Sequence, residues 1–433
     1  MIPVEIVEFF SKEGGHSLII KGEPGSGKTT LALEILDNFR DKKKVLYMST
    51  RVKDEVLLNQ FPWAKDTIIK EKIKKNVGKI DRRHLNMLEG LIEEGFVKEI
   101  VEIDDDEAIL EVGELLPEME RIYDFSEENF GEAMVCIDSI DGLSEKYGIP
   151  PERILYTIQK DLVETGAADV IFVMEETSTK GIDYLGDGIV TLYHEPERKF
   201  WKRMMFIKKL RGAEIKRPTY LYSLTGGRFH AIKYEPFSMD KIIPESPDLI
   251  KFFEKYRNFQ AVNVVVDDDF PRELVEMTII TLAKIAEGTT LILPPVFYPG
   301  ETLKRHSGEI ASRIRIIGFG NERREIYLEG SDMLMELSND VVSYHGGEKA
   351  TVVLGVDAIS NIYGDLKDLP SLIKNLKMKF NVWLLTPSHL RIGGGVDSEI
   401  KLTSIGDIPI IIGDMAYGIS RIREDQLELV PLL

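Results

Sequence analysis

The eight residues Gly22-Glu23-Pro24-Gly25-Ser26-Gly27-Lys28-Thr29 constrain this chain more than any other stretch. They fit the pattern G-x-x-x-x-G-K-[ST] without a mismatch. The apolar run Ser17–Lys21 before them reads as a buried strand, and Thr30–Phe39 after them has apolar residues at helical spacing. Strand, glycine loop and helix form the setting in which this pattern has a chemical meaning. Glycines let the loop close tightly and bring backbone N–H groups against an anion. The start of the helix adds the positive end of its dipole. The motif therefore predicts that Gly22, Glu23, Pro24, Gly25, Ser26, Gly27, Lys28, Thr29 and Thr30 bind the phosphates of ATP. Lys28 is expected to reach the β- and γ-phosphates and Thr29 to hold Mg2+. Asp138, closing the apolar strand Ala133–Asp138, is the expected second Mg2+ anchor, usually through water.

Val45–Ser49, Val170–Met174 and Gly188–Tyr193 read as further strands, followed by Met204–Leu210 and Thr219–Leu224 as late ones. Between them, residues 52–130 are charged and read as a mostly helical insert, basic from Lys65 to Arg83 and acidic from Glu93 to Glu128. Residues 236–258, with Pro236, Pro244 and Pro247, read as a linker and connecting helix. From 259 the order of elements repeats. Val262–Val266, helix 273–286, Thr290–Leu293, Thr351–Asp357, Asn381–Thr386 and Glu399–Thr403 follow the same sequence as their counterparts in 1–235. This predicts a divergent second copy with Asp357 at the place of Asp138. That copy has Asp267-Asp-Asp-Phe-Pro-Arg272 where the glycine loop would be. It has no Gly-Lys-Thr, and three carboxylates repel a polyphosphate.

Composition narrows the function classes. The net charge is -18, and both halves are acidic: residues 1–235 carry 34 basic against 44 acidic side chains, and the remainder 21 against 29. A generally basic nucleic-acid surface is excluded, although a local basic patch is not. The single cysteine, Cys136, rules out an internal disulfide framework and a Cys-rich metal site. It reads as a small buried hydrophobe in a reducing, cytoplasmic setting. No run reaches the roughly 18 apolar residues of a membrane span, and the start of the chain has no signal-peptide pattern. Only four glutamines beside many Glu and Lys fit a thermophile's avoidance of labile amides. His306, His345 and His389 show no metal-ligand spacing, and Gly393–Gly395 reads as a flexible loop.

The glycine loop, Cys136-Ile-Asp138-Ser139 and Lys208-Lys209-Leu210-Arg211-Gly212 together resemble the RecA superfamily, and within it the KaiC/GvpD branch widespread in archaea. Thr219-Tyr-Leu-Tyr-Ser-Leu-Thr and Asp187-Gly188-Ile-Val strengthen the likeness, which covers roughly residues 10–235. The resemblance implies two RecA-like α/β domains with mostly parallel central sheets flanked by helices, the second without a phosphate loop. It implies a homo-oligomer, dimer or ring. In it Lys209 and Arg211 would reach the γ-phosphate of a neighbouring subunit. It also exposes a departure. The family usually has a catalytic Glu just after the second strand, where this chain has Arg51. Asp54 and Glu55 come later; Glu175 and Glu176 end another strand, where the family often has a sensing group. Slow or partner-dependent hydrolysis is therefore expected, with Lys28, Lys209, Arg211 and Glu175 as the catalytic candidates.

Three functions compete at this point. The first is a nucleotide-dependent regulator of a protein or ribonucleoprotein partner. The second is a recombination- or repair-type ATPase on DNA, disfavoured by the net charge and by Arg51. The third is a kinase, for which no second substrate pocket or base is visible.

Overall fold

The computed structural model describes residues 2–51, 54–66, 99–104, 107–111, 117–175, 182–197, 199–244, 246–296, 298, 300–319, 326–328, 330, 332–340 and 350–433. The chain divides into two units, one of residues 1–195 with 202–231 and the other of residues 196–201 with 232–433. The stretch expected as a linker largely belongs to the second unit. It carries helix Pro247–Glu254, whose Leu249, Phe252 and Phe253 are buried.

The first unit is built on β1 (Ser17–Gly22), β2 (Lys44–Ser49), β5 (Ala133–Asp138), β6 (Ala168–Glu175) and β7 (Gly188–Glu197). Between β2 and β5 in the chain lie β3 (Glu99–Asp104) and β4 (Glu107–Glu111). The main sheet runs β7-β1-β6-β5-β2, and each printed pairing among these strands is parallel. Beyond β7 come β8 (Phe200–Leu210), β9 (Thr219–Ser223) and β10 (His230–Ile232), with β9 antiparallel to β8. The parallel strands are near-continuous apolar runs because helices cover both faces. β1 is buried at all six positions and β6 at seven of eight. One core cluster gathers Leu18, Ile20, Leu31, Ile35 and Val173; the other, on the opposite face, gathers Ile19, Val135, Ile154 and Phe172.

The 52–130 insert is less helical than its charge pattern suggests. Helices Asp54–Gln60 and Pro117–Glu128 are present, but β3 and β4 form an antiparallel ribbon. Apart from Val101, at the register shift of the ribbon, apolar and charged residues alternate through Glu99-Ile-Val-Glu-Ile-Asp104, which suits a strand rather than a helix. Most of the basic 65–83 segment lies outside the described residues.

The second unit repeats the topology. Its strands are β11 (Ala261–Val266), β12 (Thr289–Leu293), β13 (Ile314–Phe319), β14 (Ile326–Leu328), β15 (Ala350–Gly355), β16 (Phe380–Pro387), β17 (Ser398–Ile405), β18 (Ile408–Ile412), β19 (Ala416–Arg423) and β20 (Gln426–Pro431). The run β12-β15-β16-β11-β17 is the counterpart of β2-β5-β6-β1-β7, with parallel pairing throughout. β13 and β14 extend one edge in parallel; β18–β20 extend the other as an antiparallel meander. The expected α/β class with two mostly parallel sheets is therefore what the chain forms.

Register corrects one equivalence. Ser17 and Ala261 open the first strand of each unit and pair with Val170 and Val382, which pair with Val135 and Val352. Counting forward, Asp138 corresponds to Gly355 and not to Asp357. A Cβ at Gly355 would lie 2.7 Å from the Pro295 backbone nitrogen, so no carboxylate fits there. Asp357 stands two residues on, in the first turn of helix Val356–Tyr363, where it accepts the Val296 N–H at 3.0 Å.

Candidate functional site

The glycine loop leaves β1 at Gly22, and helix Lys28–Phe39 starts after five intervening residues. Gly25 and Gly27 have φ of 81° and 91°, a left-handed conformation that glycine adopts without penalty. At Gly27 a Cβ would also lie 2.8 Å from the Leu224 side chain. The loop is gripped from the late strands. The Tyr222 hydroxyl donates to the Ser26 carbonyl, and Arg203 Nη1 donates to the Gly25 carbonyl at 3.2 Å. Both carbonyls are thus engaged on the strand side. Among the described residues, Ser26 Oγ is buried without a hydrogen-bond partner.

Lys28 is folded into the loop. Its ammonium donates to the carbonyls of Gly22 at 2.7 Å and Glu23 at 2.9 Å, and to Glu175 Oε2 at 3.0 Å. Thr29 Oγ1 donates to Asp138 Oδ2 at 2.6 Å, so the two expected Mg2+ ligands meet across 109 residues of sequence. The Tyr47 hydroxyl donates to the same oxygen at 2.8 Å. Burial pushes the Asp138 carboxyl above the usual carboxylate range, against the hydrogen bonds from Thr29 and Tyr47 that favour its charged form. Burial and the neighbouring Asp138 push the Tyr47 phenol well up, so Tyr47 remains a donor. The Asp138–Ser139 peptide is cis. Ser139 then caps helix Ile140–Tyr147 by accepting the Gly142 N–H. Cys136, fully buried with its thiol pushed up by burial, has no access for redox chemistry.

Arg51 lies where the resemblance expects a carboxylate, and its Nη1 is 3.4 Å from Glu175 Oε1. Glu175 therefore bridges Lys28 and Arg51. Its own backbone N–H is held by Asp141 Oδ2 at 2.8 Å. Glu176 and the side chains of Asp54 and Glu55 lie outside the described residues. Lys28, Thr29, Tyr47, Arg51, Asp138 and Glu175 line a cavity of about 410 Å³ together with Leu57, Phe61 and Leu224. Its apolar wall is anchored by Trp63, which donates to the Gly227 carbonyl at 3.0 Å. Arg228 lies 4.0 Å over the Trp63 ring and pairs with Glu34 and Asp37 at 2.9 Å each.

Lys209 and Arg211 are not in this cavity. Lys209 donates to the Gly186 carbonyl at 2.7 Å, and Arg211 pairs with Asp187 at 2.8 Å. Asp187 also accepts from Ser17 and Gln159, at the start of β1. Ser17 and Gly22 are the two ends of that strand, about 17 Å apart. Sequence reasoning missed three residues that do touch the site: Tyr47, Arg203 and Tyr222. Only Tyr222 had a signal, the tyrosine-rich strand quoted for the family.

The second unit keeps the loop length and loses its chemistry. Five residues, Asp267–Pro271, again separate strand from helix, and Arg272 opens helix Arg272–Ile285 where Lys28 opens the first. None of the five is glycine, and Pro271 has no N–H. Asp267 is paired with Lys401 at 2.7 Å; burial works to raise its pKa, but the hydrogen bonds from Lys401 and Thr403 bring it below the usual range. Phe270, Asp267, Asp357 and Arg272 line the corresponding cavity of about 320 Å³. Among the described residues, no group of three or more His, Cys, Asp or Glu side chains is arranged to hold a metal ion. His306 is buried between Glu276 and Asp240, at 2.6 and 3.0 Å; His389 is 3.9 Å from Asp268, and His345 lies outside the described residues.

Residues 6–211 match the family described as GvpD gas vesicle protein, P-loop domain. The match takes in the glycine loop and strands β1, β2, β5 and β6, so this part of the chain is similar to a GvpD-type P-loop domain. Two curated relatives from Halobacterium salinarum are similar to just over half of this chain. Protein GvpD2 is 27% identical over 249 residues, covering 56% of this chain and 46% of its own length. Protein GvpD1 is 25% identical over 240 residues, covering 54% and 41%. The chain thus spans less than half the length of either relative. A solved KaiC-like protein from Pyrococcus horikoshii is 16% identical, with a TM-score of 0.35 over 51% of this chain and 90% of that one. Among the described residues, no helix is long and apolar enough to cross a membrane.

Proposed function

We propose that this protein binds ATP with Mg2+ in its GvpD-type domain, hydrolyses it slowly, and works as a nucleotide-dependent switch on a protein or ribonucleoprotein partner. The observation that carries this reading is the pocket head, where Lys28 and Arg51 share the single carboxylate of Glu175. The residues present suit the ligand: left-handed glycines in the loop, a lysine folded into it, and Thr29 meeting Asp138. Loop N–H groups and Lys28 would hold the phosphates, and Thr29 and Asp138 would hold the metal. Bound Mg2+ supplies charge neutralisation on the β- and γ-phosphate oxygens.

Slow turnover follows from what stands near the third phosphate. In the resembling family the water-activating base is a carboxylate within reach and free to accept a proton. Among the described residues, Arg51 stands where the resembling family has that carboxylate and cannot accept a proton, and Glu175 lies within 3.4 Å of two cations. A slow hydrolytic clock suits a switch better than a motor. Lys209 and Arg211 lie about 17 Å of strand from their own loop, too far to act on it. This supports a role for them on the nucleotide of a neighbouring copy, where added positive charge stabilises the transition state.

The test is direct. The full chain should bind Mg-ATP and turn it over more slowly than about 1 s⁻¹. Arg211→Ala should slow turnover further while leaving ATP binding unchanged. Turnover at ordinary enzyme rates without a partner would contradict the reading, and so would equal loss of binding and turnover in Arg211→Ala.

A further inference from the structure

Two hydroxyls converge on a single oxygen of Asp138. Thr29 Oγ1 donates to Asp138 Oδ2 at 2.6 Å, and the Tyr47 hydroxyl donates to the same atom at 2.8 Å. Neither donor is near Asp138 in the chain. Tyr47 arrives through register: on β2 it pairs with Cys136 of β5, as Ser49 pairs with Asp138. Side chains two apart on a strand share a face, so Tyr47, Cys136 and Asp138 stand on one face of the sheet. The phenol reaches forward along that face to the carboxylate.

The two donors differ in what a metal asks of them. The hydroxyl that follows the lysine of such a loop is the group offered to Mg2+. With metal and nucleotide bound, the Thr29 oxygen has a second task. Tyr47 has the carboxylate alone. Its side chain is 2% exposed and packs in the core cluster that also holds Leu31, Cys136 and Val173. A ring buried in this way delivers its hydroxyl to one place. Donors of this kind, one shell out from a metal, fix the orientation of the ligand they touch, and losing one typically costs about 10–100-fold in metal affinity.

We infer that Tyr47 is a positioning residue for the metal site: its hydroxyl holds Oδ2 of Asp138 and so leaves Oδ1 to serve Mg2+. This rests on the Mg-ATP reading above and adds to it a residue outside the metal's own ligands. Tyr47 then acts on the metal only through Asp138, and contributes to nucleotide binding only when the metal is present.

The test is calorimetric titration of the full chain with a non-hydrolysable ATP analogue, once in excess Mg2+ and once in EDTA. The quantity read is the ratio of the two affinities, because a loosened fold lowers both alike and leaves the ratio unchanged. Tyr47→Phe keeps the ring and removes the hydroxyl. It should lower the ratio by about tenfold, with affinity in EDTA within about threefold of wild type. Cys136→Ala disturbs packing on the same face and keeps the hydroxyl, so it should leave the ratio as it is in wild type. An unchanged ratio in Tyr47→Phe, or an equal fall in Cys136→Ala, would overturn the inference and leave Mg-ATP binding standing. If wild type binds the analogue equally well with and without Mg2+, or not at all, the Mg-ATP reading and the inference fall together.

Discussion

The two halves of this chain share five parallel strands in one order and a loop of five residues between strand and helix, yet only one loop has the glycines and lysine of a phosphate-binding motif. The difference lies in what the backbone can do. Gly25 and Gly27 take left-handed conformations, so loop N–H groups can converge on an anion. Asp267–Pro271 has no glycine, one missing N–H and three carboxylates. The metal side differs as sharply. Asp138 meets Thr29 in the first half, whereas Gly355 at the matching register leaves no room for a side chain. Shared topology therefore leaves the two halves with different chemistry, set by a handful of residues at the carboxyl ends of the strands.

The largest effect expected from breaking this comparison is at the paired helix starts. Lys28→Ala should abolish measurable ATP binding, while Arg272→Ala, at the same position in the second half, should leave it unchanged. Next comes the metal pair. Asp138→Asn should remove most of the Mg2+ dependence of ATP binding, and Mg2+ titration at fixed ATP measures it. The pH profile should agree. Burial raises the Asp138 pKa, so the charged form that would bind Mg2+ is lost at a higher pH than for an ordinary carboxylate, and on the proposed reading affinity should fall as pH drops through that point. Stability without metal runs the other way. A carboxylate whose folded pKa exceeds its unfolded value costs stability at neutral pH, and the cost is relieved as pH falls through the folded value. Thermal melts of wild type and Asp138→Asn across acid pH separate the two effects.

A smaller effect is expected at Arg51. Arg51→Glu restores the residue type the resembling family has there and should raise single-turnover hydrolysis by about tenfold or more, within the range of a general base. An unchanged rate would mean that the missing carboxylate is not what slows the site. The smallest is Tyr222→Phe. It removes one hydrogen bond to the Ser26 carbonyl, worth about 1 kcal/mol, so ATP affinity should drop by roughly fivefold with turnover of the bound nucleotide unchanged.

Much of this was readable from residues. The glycine loop, the strand ending at Asp138 and the repeated order of elements follow from local patterns, because buried parallel strands are apolar runs and helices have their own period. Contacts between distant segments were not readable. Tyr47 reaches Asp138 only because β2 pairs with β5 in one particular register, which no local pattern encodes. Arg203 reaches Gly25 for the same kind of reason. The Asp357 equivalence failed because matching apolar runs does not set register, and a two-residue offset keeps the same inward-outward alternation. The β3–β4 ribbon was missed because the acidic residues around it outweighed its short apolar runs, Ile100-Val101 and Ala108-Ile109-Leu110.

The measurement that bears most directly on the unequal halves is the stoichiometry of Mg-ATP binding to the full chain by calorimetric titration. One site per chain, lost in Lys28→Ala and retained in Arg272→Ala, is the expected result. Two sites per chain, or a site that survives Lys28→Ala, would contradict it.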